Sequence, residues 1–226
     1  MTLDTPGAAA MTALALVVLP FVWRYTRHVV TLVHEAGHAI VALVTGRRLN
    51  AITLHADTSG LTVSSGRPTG LGMIATALAG YLAPSALGLG SLALVYADRT
   101  GWALWIAAIV LAGMLLFIRN WWGLLVVALS GAAVAAVTYR ADEQVQVFAA
   151  SAVAWFLLIA GPRTTLDLWG HRRRARTRTS DADVLGRLTH LPAAIWNALF
   201  IGLTVAALLA GLWIAGWVSP DDLGVG

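Results

Sequence analysis

VTLVHEAGHAIVALVTG, residues 30–46, is a run of side chains suited to lipid that two histidines and a glutamate interrupt in mid-course. Its apolar positions fit a membrane helix, but His34, Glu35 and His38 fall within five positions of one another. A carboxylate at the centre of such a helix costs about 2.5–3.5 kcal/mol on insertion scales unless something pairs with it. Residues four apart lie on one helical face, so His34 and His38 can turn two imidazoles toward one ion, with Glu35 beside them. That arrangement suits a metal hydrolase: a zinc ion acidifies a bound water to a pKa near 7, and a glutamate takes its proton. With six His and only two Glu in the chain, chance produces the pattern in about one chain in a thousand, so coincidence is a poor account of it.

The surrounding composition agrees with a bilayer as solvent. Of 226 residues, 58% are hydrophobic and 12% charged, and mean hydropathy is +0.76; these values belong to a membrane protein. Cysteine is absent, which excludes disulfides, thiolate metal sites and a catalytic thiol. Any metal must therefore be held by nitrogen and oxygen. The N-terminal stretch lacks a basic leader and runs straight into further apolar chain, so it reads as a retained first helix.

A spanning helix needs about 20 apolar residues, and seven segments are candidates: Gly7 to Trp23, Val29 to Thr45, Leu71 to Ala97, Trp102 to Ile118, Trp121 to Tyr139, Gln144 to Gly161 and Leu191 to Val218. The first two are the shortest. Pro20 and the patch Arg24 to His28 mark either a loop between them or a break in one bent element, so six spans with a re-entrant segment is the alternative to seven. The fold expected is an all-α polytopic membrane protein of six to seven transmembrane helices, forming one domain over residues 1–226.

All fifteen basic residues are arginine, and seven lie between Arg163 and Arg187. With seven crossings and a cytoplasmic N-terminus, eleven arginines fall inside and four (Arg24, Arg27, Arg99, Arg140) outside, with Asp221 and Asp222 also outside; this satisfies the positive-inside rule. The arginines thus speak for orientation and contact with the lipid bilayer, and against nucleic acid as a partner. Between the second and third spans, Leu49 to Val63 reads as strand, turn, strand, a small β-hairpin on the cytoplasmic side. From Pro162 to His190 the sequence reads as a basic loop in which Ser180 caps a short helix leading into the last span.

At 1.5 Å per residue His38 lies about 10 Å, and His34 about 16 Å, below the inner end of the second span. A third ligand must come from an inner segment. Asp57 reads as a turn residue, and Asp183 as a helix N-terminal acid. Asp167, just past the sixth span, and Asp181, at the start of the short helix, remain as equal candidates.

His34-Glu35-Ala36-Gly37-His38, the hairpin with Asp57-Thr58-Ser59-Gly60-Leu61-Thr62, Ala79-Gly80-Tyr81-Leu82, Arg119-Asn120-Trp121-Trp122-Gly123, and Ser180-Asp181-Ala182-Asp183 before Leu188-Thr189-His190-Leu191-Pro192 resemble the compact B-type branch of the site-2 protease metallopeptidases. The resemblance runs from the second span to the last. It implies an intramembrane zinc (Zn2+) metalloprotease acting on a membrane protein substrate; the all-arginine basicity suggests a bacterial cell membrane, and the arginine bias an active site toward the cytoplasm. His34 and His38 match the metal-binding histidines and Glu35 the catalytic base. Better-studied members take a third ligand from an Asp-Gly pair on a later membrane helix, which this chain lacks; the likeness of the Ser180–Asp183 segment favours Asp181, with Asp167 as the alternative. Asn120 is a candidate for holding unwound substrate, or else an ordinary turn residue. Two other functions compete: a catalytically inactive scaffold or chaperone on the same fold, and a small metal transporter. The second is disfavoured because the ionisable groups gather toward one face and do not line a route across.

Overall fold

The computed structural model describes residues 5–174 and 178–218; Arg176 and the pair Asp221 and Asp222 lie outside them. The element order is α1 (Thr5–Val18), α2 (Pro20–Val44), β1 (Arg48–Leu54), β2 (Gly60–Ser65), α3 (Leu71–Tyr96), α4 (Thr100–Leu115), α5 (Trp121–Arg140), α6 (Glu143–Arg174), α7 (Asp181–Thr189) and α8 (Ala193–Ile214). The chain is mostly helical, with one two-stranded antiparallel sheet.

Four helices, α3, α5, α6 and α8, are long and apolar enough to cross a bilayer, and the pair α1–α2 makes a fifth when taken together. By this measure there are four or five spans and not six or seven. The difference has two sources. The first two expected spans are joined at Leu19 by a 102° bend; Pro20 opens α2, where its missing N–H costs nothing. Arg24, Arg27 and His28 are therefore helical residues of α2, not an external loop. The second source is α4, apolar but only 16 residues long, about 24 Å at 1.5 Å per residue.

The sixth expected span also runs further than its sequence suggested. Pro162 lies inside α6, which continues to Arg174, so the basic loop is far shorter than the segment from Pro162. A proline frees carbonyls in the turn before it, and the helix survives when side chains take them up. The carbonyl left without its partner is that of Leu158, four residues before the proline; just past it, Thr164 Oγ1 donates to the Gly161 carbonyl (3.0 Å) and Thr165 Oγ1 to those of Gly161 and Pro162 (3.2 and 2.9 Å), back-bonds of the next turn.

α3 and α6 form the centre of the bundle, with α1, α2 and α8 packed around them. Trp155, Leu157, Leu158, Leu92 and Phe200 are almost wholly buried there. By contrast α5 buries only Gly123 and Val127, while Trp102, Ile109, Trp121 and Leu129 are each more than 60% exposed. Apolar surface on this scale is what a lipid-facing helix presents and water would not tolerate.

The hairpin closes one end of the bundle. Its register pairs Ile52 with Thr62 and Leu54 with Gly60, with an irregularity between Leu49 and Ala51. The outer edge of β1 is already occupied: Ile52 N–H donates to the Phe117 carbonyl (2.8 Å), and Arg119 N–H donates to the Ile52 carbonyl (3.0 Å). Because Ile52 turns its backbone groups away from β2, its partner Thr62 turns its own groups toward the opposite, open edge. At the turn, Asp57 Oδ1 accepts from the Ser59 amide and hydroxyl (2.9 and 2.6 Å), bonds that hold its carboxyl below the usual range. Asp57 is thus committed to the turn.

A candidate metal centre

His34 and His38 project from one face of α2, their Nε2 atoms 3.1 Å apart and their rings nearly perpendicular. Asp181, the first residue of α7, brings Oδ2 to 3.2 Å from the first nitrogen and 3.3 Å from the second. The three donor atoms therefore form a nearly equilateral triangle. Donors about 2.05 Å from a tetrahedral zinc lie about 3.3 Å from one another, so the triangle has the size of three corners of such a site.

The local chemistry suits a cation there. His38 Nδ1 is 2.7 Å from the Thr76 carbonyl; a carbonyl only accepts, so Nδ1 carries the proton and the neutral ring presents a bare Nε2. That lone pair faces another imidazole nitrogen and a carboxylate oxygen, three donor atoms that could share one metal ion. A histidine fixed through its other nitrogen by a backbone carbonyl is a common support for a metal ligand.

Two further elements shape the donor set. Gly80 of α3 lies against the rings: a Cβ there would fall 2.7 Å from His34 Cε1 and would also overlap His38. Tyr81 packs edge-on against His34 at 4.7 Å and stacks on Phe200 at 5.1 Å.

α7 holds Asp181 in place by its own N-terminus. Ser180 is the N-cap of a reciprocal capping box: its hydroxyl accepts from the Asp183 amide (3.4 Å) and donates to Asp183 Oδ2 (2.5 Å), which also accepts from the Ser180 N–H (3.2 Å). Arg172, near the end of α6, donates to Asp183 Oδ1 at 2.7 Å. Burial works to raise the Asp183 carboxyl, but these bonds and the Arg172 charge hold it below the usual range. The helix is pinned beneath by Ala182 and Leu185, both fully buried against Leu168, Ala77 and Phe200.

Glu35 faces a different neighbour. It is 4% exposed, and Thr62 Oγ1 of β2 donates to its Oε2 at 2.6 Å. Gly60 presses on the same group, since a Cβ there would lie 2.5 Å from Oε1. The hairpin thus holds one carboxylate oxygen by a hydrogen bond and meets the other with bare backbone.

All four residues line one open cleft of about 990 Å³, between α2, β2, α3, α6 and α7. Asp167, also on its wall, comes within 4.0 Å of neither histidine among the described ion pairs. Asn120 is not among the lining residues. Its carboxamide is spent on Leu54, accepting from the N–H (3.2 Å) and donating to the carbonyl (2.5 Å), so it extends the closed edge of β1 as a third backbone would. The supporting parts of Thr62, Gly60, Thr76 and Gly80 were not assigned from sequence; for the glycines, their place beside motif segments was the one available signal.

Residues 7–211 match the model of a protein family described as Peptidase M50B-like. No curated protein and no solved structure matches the chain.

Proposed function

The chain belongs to the Peptidase M50B-like family, the B-type branch of the site-2 proteases, and from that premise we propose that it is an intramembrane zinc metalloprotease cutting membrane-embedded or membrane-adjacent polypeptides. The family is zinc-dependent in general. The observation that carries the reading is the triangle of His34, His38 and Asp181 donors with Glu35 on the same cleft wall. His34, His38 and Asp181 would hold the ion, which when bound supplies Lewis acidity, making a water acidic enough to ionise near neutral pH and polarising a peptide carbonyl.

The protein's own residues do the rest. Glu35 takes the proton from the attacking water as its oxygen bonds to the carbonyl carbon, then delivers that proton to the leaving nitrogen as the C–N bond breaks. Thr62 fixes the carboxylate through Oε2, and Glu35 lines the cleft beside the imidazoles. A substrate helix must unwind first, because its carbonyls are bonded internally and its freed groups need partners in a dry setting. The open edge of β2, with the outward groups of Thr62, can pair with such a strand. Asn120 serves the substrate indirectly, by fixing β1 and hence β2. The arginines Arg47, Arg48, Arg67, Arg119, Arg172 and Arg187 lie at the cleft end of the bundle, Arg99 and Arg140 at the other; the positive-inside rule then makes the cleft cytoplasmic.

The test is metal content and peptide cleavage by the purified full chain. One zinc per chain is expected, lost in His34→Ala and Asp181→Asn but kept in Asp167→Asn, with cleavage abolished in Glu35→Gln. A metal-free wild type would remove the reading. Bound zinc with no peptide cut, and Glu35→Gln equal to wild type in cells, would make the protein an inactive scaffold.

A further inference from the structure

The stripe of α2 that carries the histidines continues toward the start of the helix. Arg27 precedes His34 by seven residues, two turns, so it shares that face about 10 Å further along the axis; it lines the same cleft. Across the cleft, Arg163 of α6 also contributes to the lining, its guanidinium 4.4 Å above the Trp23 ring.

Arg27 and Arg163 are the arginines of the described residues that line the cleft, and several others are engaged elsewhere. Arg47 is spent on Ser64 and the Arg67 carbonyl, Arg119 on two carbonyls, Arg172 on Asp183 and Arg187 on the Arg178 carbonyl. Arg27 contributes only its own carbonyl, to Thr31, and neither Arg27 nor Arg163 joins an ion pair within 4.0 Å among the described residues. Asp167 lies on the same wall without meeting them. An arginine inside a membrane bundle is costly unless an anion compensates it, and an aromatic face holds a planar guanidinium ready for two-pronged contact with a carboxylate.

We infer that Arg27 and Arg163 form a subsite for a substrate carboxylate, an Asp or Glu side chain about three residues from the scissile bond, and so select substrates acidic at that position. The inference rests on the proteolytic reading. The spacing follows from the 10 Å offset at about 3.3 Å per extended residue. The direction follows from β2, which runs alongside α2: the Thr58 carbonyl accepts from Thr31, Thr62 reaches Glu35, and Ser64 reaches Arg47. A strand pairing antiparallel to β2 runs back toward Arg27, which puts the acid on the C-terminal side of the cut bond.

The experiment measures binding of fluorescent peptides to the Glu35→Gln full chain in neutral-lipid nanodiscs, with one Glu moved through the positions flanking the bond and Gln as control. Glu near the third position on the C-terminal side should bind about tenfold tighter than Gln, and Arg27→Gln or Arg163→Gln should erase the preference while leaving the Gln peptide unchanged. Arg27→Lys should keep much of the preference, and Arg27→Glu should reverse it toward a Lys peptide. Equal weakening of both peptides in the Arg27 variants, or no preference at any position, overturns the subsite. So does dependence on Arg27 that follows added anionic lipid in place of the peptide's charge, which would assign the pair to a lipid phosphate. Wild-type cleavage is read separately: selective binding without cleavage retains the subsite and removes the protease, whereas cleavage indifferent to charge does the opposite.

Discussion

His34 and Glu35 are consecutive in the chain and belong to two differently built halves of one cleft. The imidazole side is enclosed by helices: Thr76 and Gly80 of α3 behind the rings, Asp181 of α7 in front. The carboxylate side is enclosed by a hairpin, through Thr62 and Gly60. On the proposed reading, neighbouring positions of α2 would hold the ion and move the proton, and each has its own support. Damage to one half should leave the other standing.

Glu35→Gln should give the largest effect: zinc retained, and turnover down about 10³-fold, within the span general base catalysis commonly contributes. Next comes Gly80→Ala, whose methyl enters both rings; zinc affinity should fall about 100-fold, as when the support of a ligand is lost, and titration against a chelator reads it. Gly60→Ala is the sharper counterpart. Its methyl meets the Glu35 side chain first, so turnover should fall about tenfold or more at unchanged zinc content, a partial loss of the same base catalysis. Loss of zinc in that variant would break the division into halves. Ser180→Ala should be smallest: losing an N-cap costs about 1 kcal/mol, which, if felt wholly at Asp181, weakens zinc about fivefold.

The histidine half was legible because its spacing is local: residues four apart meet on any helix, whatever surrounds them. The third member of the cluster was not, since physics of the sequence left Asp167 and Asp181 level. What separates them is a distinction of tertiary structure. α6 passes through Pro162 without ending, so Asp167 stays within a continuous helix, whereas Asp181 starts a new one and brings Oδ2 to the two imidazoles. The span count of six to seven is not confirmed for a related reason: Leu19–Pro20 bends a helical path without interposing a loop, and composition alone cannot tell a bend from a crossing. The hairpin was placed within a residue or two, as alternation and an Asp-Thr-Ser-Gly turn permit. Asn120, chosen as a group that might touch substrate, turned out to be bonded to Leu54 from a distance of 66 residues, which no local pattern discloses.

Asp181 stands on a short helix far along the chain from α2. An ion shared by the two would close a loop of roughly 140 residues, the sort of constraint whose entropic benefit grows slowly with length. In a chain without cysteine, this is a reversible cross-link where other proteins use a disulfide. Chelation should therefore cost the protein heat stability as well as chemistry, loosening the nine-residue α7 from the bundle before the apolar helices part.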